Sequence, residues 1–217
     1  MRFDRETFFA IAPFAVWMAM MTLLPATAEM YALRTICTAA AAFALLPRLM
    51  KPSLKDWGGF FIMGVPAGML VLVLWIWPES FAWYREWFVI GGVGASQEPS
   101  AYDPAVCGKA LLTMRLLGSA FVIAPVEELF FRSYLYRRLQ SREWTKVSLS
   151  RFDLTAFLWT VALFSLEHNR IAAALAAGVV YQIVAMRAGI GSAITAHVTT
   201  NLALGLWVVY NGAWAFW

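Results

Sequence analysis

The chain has 217 residues, of which 61% are hydrophobic and 14% charged, with eleven tryptophans and a mean hydropathy of +0.65. These values exclude a water-soluble globular domain and describe a membrane protein. The net charge of +4 comes without the basic and aromatic groove pattern of a strand-binding surface, so nucleic acid is excluded as a partner and the charge belongs to membrane topology.

Seven apolar stretches approach the roughly 17 to 25 residues that a helix needs to cross a bilayer. In chain order they are 8–25, 30–46, 57–77, 108–126 with a polar continuation, 153–168, 171–186 and 190–210. Alternation of the kind a barrel needs is absent, so each stretch reads as a helix that satisfies its own backbone groups. The expected fold class is all-α, a polytopic membrane helix bundle of about seven transmembrane helices, with eight the alternative. One integral membrane domain covers 1–217; its motif-bearing core is 108–210, and the first three spans, 8–77, support it.

Basic residues test this segmentation, because they collect in cytoplasmic loops. Arg2, Arg5, Arg48, Lys51, Lys55, Arg132, Arg137, Arg138, Arg142, Lys146, Arg151 and Arg187 fall on one side, while only Arg85, Lys109 and Arg170 fall on the other. Arg34 and Arg115 are assigned to spans. The bias implies a polytopic membrane protein with an odd number of spans and its N-terminus in the cytoplasm. The first span has no small-residue cleavage site and reads as a retained helix. Cys37 and Cys107 have neither metal-ligand nor disulfide spacing. The longest loop, 78–106, carries the mixed aromatic and charged run 83–88, which reads as an interfacial anchor ahead of a substrate gate.

Glu127 and Glu128 end the fourth apolar run. A charge at bilayer depth costs roughly 2.5 to 3.5 kcal/mol on the most lenient scale, so adjacent acids there mark a functional site. The chain has two histidines, both in or beside apolar spans: His168 closes Phe164-Ser-Leu-Glu-His168, and His197 opens His197-Val-Thr-Thr-Asn201. Glu128 with Arg132, Phe164 with His168, and His197 with Asn201 each stand four apart, on one face of a helix. Singly, each pair reads as an interhelical hydrogen bond or ion pair. Together they read as a site inside a helix bundle.

A Glu and a His converging on one water can deprotonate it for attack on an amide carbonyl. A second His and an Asn can donate to the oxyanion that forms. The alternative is a divalent metal such as zinc, held by Glu127, His168 and His197. No His-Glu-x-x-His pair is present, and neither Ser nor Cys stands in a nucleophile setting. The reaction class is water-mediated amide hydrolysis, with a proton-coupled transporter and a catalytically silent scaffold or sorting partner as the readings from other classes.

Glu127-Glu128-Leu-Phe-Phe-Arg132, Phe164-x-x-x-His168 and His197-x-x-x-Asn201, in that order, resemble the three motifs of the CPBP intramembrane proteases, which include the type II CAAX prenyl endopeptidases and bacteriocin-processing relatives. The match runs over about 120–205, and no motif position is substituted. The resemblance implies that Glu127 and His168 activate the water, that His197 and Asn201 form the oxyanion site, and that Glu128 and Arg132 orient or brace it, with Phe164 in support. It leaves both a metal-dependent and a metal-free mechanism open, and assigns no certain cofactor. It implies a membrane-protein or lipidated-peptide substrate, says nothing of oligomeric state, and by chain length points to small bacterial members such as those beside exosortase sorting systems.

Straight spans would put Glu127 near one surface and His168 near the other, about 24 Å apart for a 16-residue helix. Cooperation between them therefore needs either the 167–170 turn to stay below the surface or the fourth span to enter more deeply, and the expectation is a turn buried in protein.

Overall fold

The computed structural model describes residues 5–45, 59–88 and 101–217. Among these residues the structure is all-α, with helices α1 (Arg5–Leu23), α2 (Ala28–Leu45), α3 (Phe60–Ser80), α4 (Ala82–Phe88), α5 (Pro104–Gln140), α6 (Leu154–Ser165), α7 (Ile171–Ala188) and α8 (Ile190–Asn211). Arg2, Arg48, Lys51, Lys55 and the start of the third expected span lie outside the described residues. The seven expected spans correspond to α1–α3 and α5–α8. Five of them, α1, α3, α5, α7 and α8, are long and apolar enough to cross a membrane. The twelve-residue α6 is apolar but shorter, and α2 carries Glu29 and Arg34. Inside the expected loop lies α4, which buries Tyr84 and turns Trp83, Trp87 and Phe88 outward.

Local chemistry sets the helix limits. Asp103 accepts from the Ala105 amide at 2.8 Å with Pro104 in the first turn, and Asp153 accepts from the Ala156 amide at 2.9 Å. Gly189, at φ +86°, ends α7 and lets α8 begin at once; a side chain there would strain the turn.

Two prolines reshape the long helices. Pro66 and Pro125 each follow a π-helical turn, Phe60–Gly64 and Ser119–Ile123. Proline lacks the N–H that would bond the carbonyl four residues back and clashes with that carbonyl; a wider turn relieves both. A third π segment, Leu129–Leu135, follows Glu128 directly, so both carboxylates sit on a five-residue α-helical piece between two wide turns. The expected fourth span and its polar continuation are thus one interrupted helix of 37 residues.

At the centre stands α8, packed against α3, α5 and α7. Close approach to α3 depends on two glycines four apart. A Cβ on Gly68 would stand 2.4 Å from the Ala196 carbonyl oxygen, and one on Gly64 would stand 2.8 Å from Thr195 Cβ. Small residues at this spacing let membrane helices touch backbone to backbone, where no hydrophobic effect drives them together. The core joins Phe14, Val71, Val126, Phe131, Phe164, Ala177, Tyr181 and Ala196. Phe43, Ile62, Leu158 and Tyr210 face outward.

The turn after α6 resolves the depth problem only in part. At twelve residues α6 is about 18 Å long, shorter than the expected span, and His168 lies past its end. Arg170 is buried: it pairs with Glu79 of α3, donates to the Ala215 carbonyl at 3.0 Å and lies 4.2 Å over the Phe216 ring. Glu167 and His168 are half-buried, whereas Leu166 and Asn169 are exposed. The turn is pinned at one end and open at the other, unlike the fully buried turn expected.

Candidate active site

The helix piece Ala124–Glu128 presents both carboxylates inward, Glu128 fully buried and Glu127 7% exposed. From the next turn of the same helix, Arg132 donates through NH1 to Glu128 Oε1 at 2.9 Å and through NH2 to the Gly178 carbonyl at 3.4 Å. Its guanidinium lies 4.2 Å over the Phe164 ring. A buried arginine is thereby matched by one carboxylate and an aromatic face, which offset its loss of water.

His197 reaches this pair from α8. Its Nδ1 stands 2.9 Å from Glu128 Oε1, and its Nε2 is 3.7 Å from Glu127 Oε2. The Glu128 carboxylate can only accept, so Nδ1 carries the proton and the tautomer is assigned by its partner. Glu128 thus holds two groups, Arg132 and His197, where the sequence suggested Arg132 alone. On the other side Tyr181 stacks on the imidazole, 4.7 Å between centroids, and donates to Thr200 Oγ1 at 2.7 Å. Thr200 in turn is bonded to the carbonyls of Gly68 and Ala196. The ring is clamped between a carboxylate and a phenol that is itself anchored.

His168 completes the cluster through Phe164. The Phe164 ring is 4.8 Å from the His168 ring and 5.8 Å from that of His197, and Trp75 of α3 packs edge-on to His168 at 5.6 Å. The Phe164 carbonyl accepts from His168 Nδ1 at 2.9 Å, which leaves the Nε2 lone pair unused. Glu127 has Glu128 and Glu167 as acidic neighbours and Arg132 as the cationic one. Asn201, one turn beyond His197, donates its amide to the Ser119 carbonyl at 3.0 Å. Ser119 opens the π turn ahead of Pro125, and its carbonyl accepts the Ala124 amide in the wide i to i+5 pattern as well as the Asn201 amide.

Glu127, Glu128, Arg132, Phe164, His168 and His197 therefore come together, and Asn201 lies at the edge of the group with one N–H committed to Ser119. Sequence reasoning missed Tyr181, Thr200 and Ser119. The adjacent Tyr181-Gln182, polar inside the alanine-rich 171–186 stretch, was the available signal for the first. A metal held by Glu127, His168 and His197 does not fit these positions. No three His, Cys, Asp or Glu side chains among the described residues converge on one point, and the Arg132 cation sits against the neighbouring carboxylate.

Two buried carboxylates, Arg132 and two histidines gathered between apolar helices mark a candidate Glu/His site in a polytopic membrane protein. Residues 109–203, the segment that carries the site, are similar to the family model described as type II CAAX prenyl endopeptidase Rce1-like. No curated protein and no solved structure matches the chain.

Proposed function

We propose that the chain is an intramembrane endopeptidase that hydrolyses a peptide bond of a membrane-associated or lipidated protein, using water activated by Glu127 and His168. The observation that carries this reading is the clamped His197. Its Nε2 faces Glu127 at 3.7 Å while its Nδ1 is bound by Glu128. A water bonded to Glu127 and to the free Nε2 of His168 loses its proton as its oxygen attacks the carbonyl carbon. Negative charge then develops on the carbonyl oxygen. His197, on taking up a proton at Nε2 while its Nδ1 stays bonded to Glu128, donates to that oxygen together with the second N–H of Asn201. The proton held by Glu127 passes to the departing amine. Arg132 holds the Glu128 carboxylate in place, and Tyr181 keeps the imidazole from rotating away.

The test is cleavage by purified protein in liposomes, offered a farnesylated peptide with a free C-terminus and an unlipidated transmembrane peptide. The reading expects at least one to yield two fragments with a new carboxylate and a new amine. Intact peptides of both kinds, with protein whose melting transition in the same liposomes is cooperative, would contradict it.

A further inference from the structure

A second cationic group lies at the opposite end of α5 from Arg132, where α1 ends and α2 and α5 begin. Arg34 of α2 is 6% exposed, six residues or about 9 Å along the helix from its first residue. Arg115 of α5 faces it across Tyr31, with guanidinium carbons 6.0 Å and 4.3 Å from that ring, respectively. Tyr102 and Trp217 lie 4.9 Å and 5.7 Å from the Arg115 guanidinium, and Trp17 lies 5.8 Å from that of Arg34. Two like charges thus share one aromatic cage between apolar helices.

Neither charge has an anion among the described residues. No carboxylate among the described residues stands within 4 Å of either guanidinium. The acids at this end are used on their own helices, Glu29 with Thr27 and the backbone and Asp103 on the Ala105 amide. Ring faces attract a cation but accept no hydrogen bonds in the ring plane. Among the described residues Arg34 donates only through Nε, to the Met30 carbonyl at 3.2 Å. Arg115 donates to no described residue, and its Nε is buried without a partner, as is the hydroxyl of the 3%-exposed Tyr31. At Arg132 the same chain matches a buried arginine with a carboxylate; here no described residue supplies the matching group, and the donors remain.

We propose that Arg34 and Arg115, with the Tyr31 hydroxyl, bind the phosphate group of a membrane phospholipid. A phosphate oxygen accepts several N–H groups at once and suits the planar guanidinium fork. Basic pockets between membrane helices near a surface take headgroups in this way. A lipid fits better than a free ion because the same helices turn Leu33, Ile36 and Leu117 outward, the apolar surface along which acyl chains would lie. Tyr102 and Trp217 close the cage, as aromatic rings do at headgroup level.

Native mass spectrometry of the full chain in detergent tests this with phosphatidylglycerol, with diacylglycerol of the same acyl chains, and with inorganic phosphate. Wild type is expected to retain one phosphatidylglycerol at least roughly tenfold more strongly than diacylglycerol, with millimolar phosphate unable to displace it. The double variant Arg34→Gln, Arg115→Gln should lose that preference, while Lys146→Gln, at the other end of α5, should keep it. If the Gln pair fails to fold, Arg34→Lys with Arg115→Lys keeps the charges but not the forks, and should retain the lipid more weakly than wild type. Equal retention of diacylglycerol, displacement of the lipid by inorganic phosphate, or undiminished retention by the folded double variant of either kind would overturn the proposal.

Discussion

Removal of Glu128 should damage the protein more than removal of Arg132, although the two form one ion pair. The contacting atoms are 2.9 Å apart with both side chains fully buried, so their attraction is about 6 kcal/mol at an effective dielectric of about 20. Breaking such a pair from one side typically costs about 3 to 5 kcal/mol, because the remaining charge is stranded. Glu128→Gln leaves the Arg132 guanidinium with the Gly178 carbonyl at 3.4 Å and the Phe164 ring. Arg132→Gln leaves Glu128 still bonded to His197, which can take up a proton and restore the pair. For a chain of this size, 3 to 5 kcal/mol corresponds to a fall in Tm of roughly 6 to 20 °C. Glu128→Gln should approach the upper end and Arg132→Gln the lower. The double variant, with no stranded charge, should melt no lower than Glu128→Gln, giving a coupling of about 3 kcal/mol or more. Thermal melts followed by tryptophan fluorescence in detergent measure all three. Additive effects within about 0.5 kcal/mol, or an Arg132→Gln protein less stable than Glu128→Gln, would refute the reasoning.

Asn201→Ala should lower kcat by about 10²- to 10³-fold with little change in KM, since an oxyanion donor acts in the transition state; a change confined to KM would remove Asn201 from that role. Gly68→Ala forces a methyl to 2.4 Å from the Ala196 carbonyl, so α3 and α8 must separate, and stability should fall by about 1 to 3 kcal/mol. An unchanged melting curve would contradict the glycine seam. Because the donors do not converge on one ion, dialysis against a strong chelator should leave cleavage within about twofold of its starting rate. Loss of activity restored by zinc alone would reverse that conclusion.

The spans, the carboxylate pair and the three four-residue spacings were legible in the sequence because each is local: apolar length marks a membrane helix, and i to i+4 marks a face. His197 with Glu128 was not, because that bond joins residues 69 apart, and either carboxylate satisfies the same spacing rules. The π turns were half legible. Pro66 and Pro125 announce an interruption, but a proline can kink, break or widen a helix, and packing decides which. No proline announces the turn at Leu129–Leu135. The length of α6 was misread because Leu166 carries the apolar run past Ser165, where the backbone leaves the helix. Arg170 explains the departure, since it is drawn to Glu79, 91 residues away.

The central claim is that Glu127 and His168 act on one water. The most direct measurement is the cleavage rate in liposomes of wild type, Glu127→Ala, His168→Ala and the double variant, each shown to melt cooperatively. Each single variant should lose about 10²-fold or more, and the double variant should lose little beyond the worse single one, because groups serving one water fail together. Single variants that cut as fast as wild type, or losses that multiply in the double variant as for independent residues, would contradict it.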